Sequence, residues 1–546
     1  MKKIFKYFSL PILGIGLLWS CENLDVPITT QLTPDVFPQN STQYIQTTGP
    51  VYAAFRGEYS FAWWWSQSIS TDEAVMPARG GNWFDGRNYI AMHFHDWTAD
   101  NGIVGSLWDW TSKVIGLSNQ AISILNTAMP EGADKNMAIS ELKTMRAIAY
   151  FMMMDSYGDV PLYTEYGDFS SRAKSTRKEV FEFVEKELKE AIPNLSAASG
   201  VSTYGRPNKY TAYALLAKMY LNAEVYTGTQ RNNDCIAACD EVIKSGLYAI
   251  EGRSTYLQMF YPTNGPQMKE FIFAVPYDPS ASTVGFNGNM YHARYDVPRS
   301  LRTRFGLPFT PSAPRSTLPE FYANFENDAN DIRNKQWLTG KQYLADGVTP
   351  VTVTTTKKGY DAYYTGSDGG ASYTYQVELS KQITYRGLPA NLVGLFDLGD
   401  DEIAWNMGYR NIKFYPDAGS TNRNQNNDVP FLRYSDVLLM KAEAILRGGT
   451  ATLGDTPISL VNTIRNNRTT STPWGSVTLQ TLYEERCREF AHEAWHRNDM
   501  IRFGKFEGAW GFKTDSNVKH RLFPIPTGAL TLNPALVQNP NYAAGN

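Results

Sequence analysis

His492-Glu493-Ala494-Trp495-His496 is the stretch of this chain whose residue types and spacing could most directly do chemistry. On a helix, two histidines four residues apart share a face and can hold zinc while the glutamate activates a water. Periodicity places the stretch on a helix over residues 476–499, and a chance match is improbable among only six histidines. Such a site needs a third ligand. The downstream choices, Glu507, Asp515 and His520, belong to no continuation of the motif. Glu484, Glu485, Glu489 and Glu493 form a second chemical cluster, interleaved with Arg486, Arg488 and Arg497. Glycoside hydrolysis needs two carboxyls facing each other across about 5 to 9.5 Å. Carboxylates one turn apart on a helix project side by side, so this cluster reads as an ion-pair network. Asp397, Asp400, Asp401 and Glu402 supply the oxygens calcium takes, but without the spacing of an EF-hand loop. They read as a solvated acidic turn. No cofactor, metal or catalytic residue is assigned.

Binding is better served than catalysis. The chain holds 13 Trp, 33 Tyr and 27 Phe. Much of that must be core, but aromatic planes flanked by Asn, Asp and Arg also suit sugar rings, which stack by their C–H faces and hydrogen-bond by their hydroxyls. One such cluster begins at Trp63-Trp64-Trp65 and continues through Arg79, Gly80, Gly81, Asn82, Trp83 and Asp85, where the paired glycines force a turn. Trp83 is the first-choice contact, with Asn82, Arg79 and Asp85 around it and Trp64 behind. A second cluster spans Asn287–Arg304, with Tyr291 and Tyr295 as candidates. Trp337 and the Tyr360, Tyr363, Tyr364 group follow, and Arg386-Gly387 and Tyr409-Arg410-Asn411 are fainter.

The elements that must position these residues are helical. Apolar periodicity marks helices near 43–58, 103–128 and 136–156. A capping box at Thr176 and Glu179 starts another, reaching about Ile192, and Asn208–Tyr226 and Asn232–Ser245 form a small-residue pair. Residues 246–430 turn rich in Gly, Pro, Asn and Tyr, with short strand-like pieces at Phe271–Val275, Val348–Thr355 and Tyr373–Leu379. Helices resume at 432–447, 456–467 and 476–499. The expected fold is mainly α: tetratricopeptide-like helix pairs stacked as a solenoid, interrupted by a large loop-rich insertion carrying short strands.

The start of the chain speaks to location. Lys2, Lys3 and Lys6 precede an apolar run over 8–19 that is too short to span a bilayer. Leu18-Trp19-Ser20-Cys21 then has the form of a lipoprotein cleavage-and-acylation box, although Trp19 replaces the small residue usual there. Residues 1–20 read as leader, Cys21 as the lipidated residue, 21–42 as a flexible leash, 43–245 as helical scaffold with an early ligand loop at 60–100, 246–430 as the ligand-binding insertion, and 431–546 as C-terminal scaffold and tail. The formal charge of −3, with no basic block, argues against nucleic acid as a partner. Cys235, Cys239 and Cys487 read as small buried hydrophobes, not a disulfide framework.

Several stretches together closely resemble one family. They are Cys21–Asp25, Arg146-Ala147 through Tyr157-Gly158-Asp159-Val160-Pro161-Leu162, and Val429–Ala444. Glu484–Phe490, Arg497–Gly504, Phe523-Pro524-Ile525-Pro526, Leu532-Asn533-Pro534 and Gln538–Tyr542 complete the set. Their order and spacing resemble the SusD/RagB family of outer-membrane nutrient-binding lipoproteins of Bacteroidetes. The resemblance implies a non-enzymatic, surface-exposed lipoprotein. It would capture oligosaccharide, or sometimes peptide, and deliver it to a SusC-like TonB-dependent transporter in the outer membrane. It also implies that Glu493 is scaffold, with His492 an added histidine, which leaves a zinc peptidase or a glycoside hydrolase as remote alternatives.

Overall fold

Asn40 opens the first helix by accepting the Gln43 amide on its side chain, and α1 (Ser41–Glu58) then runs through a π-helical turn, Tyr59–Trp63, into α2 (Trp64–Ser68). The structure is a computed structural model describing residues 37–277, 290–356, 372–384, 395–420 and 423–543. Cys21, Asn287, Asn289, the Tyr360–Tyr364 group and Arg386-Gly387 lie outside the described residues. The first half continues with α3 (Asn88–Phe94), α4 (Gly102–Ala128), α5 (Ala133–Tyr157), α6 (Arg177–Ala191), α7 (Lys209–Leu221), α8 (Ala223–Thr227) and α9 (Asn232–Lys244). Thr176 and Glu179 form the expected reciprocal cap of α6, and Asn208 with Thr211 caps α7 the same way. The expected single helix over 208–226 breaks at Asn222, which closes α7 by returning its side-chain amide to the Lys218 carbonyl.

Each long helix packs on the next: α1 on α4, α4 on α5, α5 on α6, and α7 on α9. In the middle of this stack the second half of α5, from Thr144 to Tyr157, is buried on every side. Met145, Ile148, Phe151, Met152 and Met154 are each fully buried, each worth roughly 1.5 to 3 kcal/mol of transfer free energy.

The insertion is pinched at its base by an antiparallel ribbon of β1 (Phe271–Val275) and β8 (Val429–Arg433), in which Phe271 faces Arg433 and Val275 faces Val429. Between them lie α10 (His292–Asp296), α11 (Pro319–Tyr322), β2 (Trp337–Leu338), β3 (Gly340–Lys341), β4 (Thr352–Thr355), β5 (Tyr373–Gln376), β6 (Glu378–Leu379), α12 (Glu402–Trp405) and β7 (Arg410–Asn411). The strands pair antiparallel as β2–β7, β3–β6 and β4–β5. A small second core of Val297, Leu301, Leu338, Val377 and Leu379 holds this region together. The ribbon returns the chain to the scaffold, where α13 (Tyr434–Leu446) packs on both α9 and α14 (Pro457–Arg465). α15 (Leu479–Phe490), α16 (His496–Arg502) and α17 (Thr527–Leu532) complete the fold. The architecture is the helix-pair solenoid with a loop-rich, strand-poor insertion.

The expected helix over 476–499 is wrong at its most consequential point. α15 ends at Phe490, Ala491 turns extended, and His492 (φ 60°) and Ala494 (φ 63°) are left-handed before α16 begins at His496. Tertiary partners impose the break. The Glu73 carboxylate accepts the His492 amide at 2.6 Å, and Glu493 is drawn toward Lys413 and Arg433.

Candidate ligand-binding site

The break dismantles the HExxH reading, because the two histidines no longer share a helical face. His492 packs against the rings of Trp64 and Trp337, with Nε2 3.4 Å from the Thr317 hydroxyl. His496 places Nε2 2.6 Å from Asp72 and its ring against Phe321. Glu493 is engaged in ion pairs. Its Oε2 accepts from Arg433 Nε at 2.8 Å, and its Oε1 accepts from both Arg433 and Lys413.

Glu485, Glu489 and Glu493 do form an ion-pair network, in which Arg488 is joined by arginines distant in sequence, whereas Glu484 accepts from Gln480 at the surface. Glu489 accepts from Arg333, Arg433 and Arg468 at 2.9 to 3.1 Å, and none of these side chains is more than 1% exposed. Glu485 binds Arg333, Arg465 and Arg488. Glu270, delivered beside β1, bridges Arg433 and Arg468. Arg486 instead pairs with Asp436 and Asp499, and Arg497 donates to the carbonyls of His520 and Arg521. Burial alone would raise the Glu485 carboxyl, but Arg333 and then Arg488 hold it down to about 2. A carboxylate so enclosed and paired serves neither acid nor nucleophile.

The acidic turn is also more structural than expected. Asp397 is buried, and its two oxygens accept the amides of Gly80, Gly81 and Gly399 at 2.7 to 3.0 Å. Asp401 caps α12, and Asp400 accepts from the Trp405 indole. Their role is to anchor the early loop.

That loop is the most strained segment of the described chain. Arg79 and Asn82 exchange backbone hydrogen bonds across Gly80 (φ 61°) and Gly81 (φ 78°), a two-residue turn with both central φ positive. A Cβ on Gly80 would meet that of Asp400 at 2.3 Å. Left-handed residues continue at Trp83 (φ 64°), Asp85 (φ 41°), Gly86 and Arg87. A bulky tryptophan in this region costs free energy that surrounding structure must offset, a pattern associated with functional loops. Arg79 supplies part of the offset from below, fully buried and donating to the Ala404 carbonyl and the Ser316 hydroxyl.

The result is an aromatic platform joining the early loop to the insertion. Trp83 meets Tyr295 edge-on at 5.6 Å and Tyr89 at 6.4 Å, and Tyr291 meets Tyr295 at 6.1 Å. The Arg294 guanidinium lies 5.4 Å from the Tyr291 ring and 5.2 Å from that of Tyr295. Trp83, Tyr89, Tyr291 and Arg294 are half-buried, while Asn82 and Asp85 are exposed at the rim. Tyr295, 5% exposed, supports the others from beneath.

Four of the early candidates are buried and serve as support: Arg79 and Tyr295, and with them Trp64 and Trp337. Trp64 sits in the core, donating its indole N–H to the His492 carbonyl with Arg315 3.8 Å over its ring. Trp337 is enclosed by Tyr322, Phe325 and His492. Tyr89 and Trp405 were not singled out from sequence. Trp405 is half-buried under Arg299 and lies beside the loop's Asp400 anchor. No local sequence signal marks either, since each acquires its place only when the insertion folds back on the loop.

Residues 269–542 match the family model described as the SusD family, and residues 54–221 match a second, described as starch-binding associating with outer membrane. The chain belongs to the SusD family of outer-membrane-associated proteins. Among the described residues no helix is long and apolar enough to cross a membrane. Similar proteins include the starch-binding protein SusD of Bacteroides thetaiotaomicron, 24% identical over 434 residues, 74% of this chain and 72% of that protein. A SusD-like protein of Bacteroides ovatus is 25% identical over 537 residues, covering 89% and 88%. Among solved structures, surface glycan-binding protein A of B. thetaiotaomicron, in complex with laminarihexaose, superposes with a TM-score of 0.69 at 19% identity, covering 91% of this chain and 99% of that one. A laminarin-binding SusD-like protein gives 0.68 at 21% identity, covering 92% and 100%.

Proposed function

We propose that the protein captures a neutral or weakly charged oligosaccharide on the Trp83–Tyr291 platform without cleaving it, and passes it to a SusC-like TonB-dependent transporter. The observation that carries this reading is the half-exposed pair of rings, Trp83 and Tyr291, rimmed by Arg294, Asn82 and Asp85 on a loop whose strain is braced by Asp397. Rings offer stacking faces, and the rim offers the donors and acceptors that hydroxyls require. The ligands of the similar structures, laminarihexaose and laminarin, belong to the same chemical class. In this reading Cys21 carries the lipid that tethers the chain to the outer membrane, facing outward, and the insertion over 246–430 is the ligand-binding segment. Micromolar affinity, about −8 kcal/mol, suits an open platform.

A glycan array beside a peptide pool, with calorimetry on the hits, tests the reading. Binding of glycans that falls about 30-fold in Trp83→Ala supports it. Hits among peptides alone would transfer the platform to peptide capture. Fractionation tests the tether: Cys21→Ala should release the protein from the outer membrane or block its processing.

A further inference from the structure

Asp515 and His520, which fail as partners of the HExxH motif, meet a different histidine. Among the described residues, His95, Asp515 and His520 are the one group of three metal-capable side chains whose donor atoms all lie within 4.8 Å of one another. We propose that they form a binding site for a divalent transition-metal ion of the zinc class.

The geometry is close to what such an ion needs. Asp515 Oδ2 is 2.7 Å from His520 Nδ1 and 3.8 Å from His95 Nδ1. These separations bracket the roughly 3.3 to 3.6 Å edge of a tetrahedron with 2.0 to 2.2 Å bonds. His95 is oriented as a ligand should be. Its Nε2 lies 2.9 Å from the Ser70 carbonyl, which assigns the ring proton there and turns the Nδ1 lone pair toward Asp515. A backbone carbonyl holding the far nitrogen is the usual outer support of a metal-bound imidazole. The ring is further clamped by Phe506, stacked at 4.5 Å, and by Trp97.

All three side chains line an open cleft of about 900 Å³, together with Trp97, Asp100 and Tyr542. Two nitrogens and a carboxylate leave at least one coordination position facing that cleft, for water or a donor on another molecule. The remaining four histidines are engaged elsewhere, by Gly511, Arg315, Thr317 and Asp72. Lys513 acts through space on both imidazoles and Lys519 on His520, which weakens a cation's hold. The affinity to expect is therefore micromolar. The ion would tie the left-handed residue after α3 to the segment ahead of the C-terminal tail, two stretches 420 residues apart in sequence.

Calorimetric titration of untagged protein with zinc chloride tests the site. One equivalent should bind with a Kd of about 1 to 10 µM. Asp515→Asn and His520→Gln should each weaken it at least about 30-fold, while His496→Ala leaves it unchanged. Zinc at about 100 times its Kd should raise Tm by about 2 °C in the unaltered protein, and in neither ligand variant. Cobalt(II) titration of the unaltered protein reads the site without any variant, and should give visible d–d bands that saturate at one equivalent. Binding no tighter than about 1 mM, binding unaffected by both ligand substitutions, loss of the site in His496→Ala, or absence of the cobalt bands would each overturn the proposal.

Discussion

The charge network around Glu489 and the loop from Arg79 to Arg87 both violate simple expectations for a folded chain, in opposite ways. The network buries Arg333, Arg433, Arg468 and four glutamates, and offsets the desolvation by giving each carboxylate two or three guanidinium or ammonium donors. The loop buries only Arg79 among its charged side chains and instead holds non-glycine residues left-handed, offset by amides bound to Asp397. The first arrangement is closed, with every strong group spent on another part of the chain. The second is open, with its braces below and Trp83, Asp85 and Asn82 at the surface, where Asn82 also donates to the Arg79 carbonyl. Residues that carry charge are therefore a poor guide to function here, and residues that carry strain are a better one.

Glu489→Ala should be the most damaging test of that contrast. It takes one carboxylate away from three buried guanidiniums, which keep Asp331, Glu485, Glu270 and Glu493 between them, and should cost about 3 to 5 kcal/mol. Denaturant unfolding should show the loss, while the folded fraction keeps its glycan affinity within about twofold; a stability loss smaller than that of Trp83→Ala would break the comparison. Acid should act on the same region. Glu485, held at about 2, is depressed in the folded state, so its stabilisation is complete above the unfolded-state value near 4.5 and is lost as pH falls toward 2. For this one group that amounts to about 3 kcal/mol. Burial holds His93 and His292 at about 4, so stability already declines as pH falls below about 6.5, and the Glu485 contribution is read as a difference. The melts of Glu485→Gln and of the unaltered protein should converge as pH falls from 5 toward 2, and a gap that persists at pH 2 would contradict the assignment.

The loop should respond in binding before stability. Trp83→Ala removes a half-exposed ring and a left-handed tryptophan together, so affinity should fall about 30-fold, about 2 kcal/mol, with Tm moving by about 1 °C or less. Unchanged affinity would disqualify the platform's central ring. Gly81→Ala is the finest probe, because a Cβ there meets open space and only the positive φ is penalised. About 1 kcal/mol of strain should loosen the turn and cost about threefold in glycan affinity, read by calorimetry.

Much of the architecture was legible in sequence because it is local. The caps at Thr176 and Asn208, the periodicity of α4 and α5, and the Gly80-Gly81 turn are each written within a few residues. Residues 476–499 show where that logic stops. The pattern continues helically through His492, and helix propensity has no means of registering that Glu73, more than 400 residues earlier, accepts the His492 amide, or that Arg433 and Lys413 draw Glu493 aside. The aromatic candidates divide on the same principle. Composition placed Trp64, Trp83 and Trp337 on one list, since an indole beside polar neighbours reads alike in any of them. Which ring faces water is set by what the insertion lays against it: Arg315 and His492 over Trp64, Phe325 and Tyr322 around Trp337, and only partial cover from Tyr89 and Tyr295 at Trp83. The sequence by itself determined the helices, their caps and the family's scaffold, because nearest neighbours along the chain supply those forces. The tertiary structure alone decided which charges are spent on each other and which ring is left exposed, because both depend on partners hundreds of residues away.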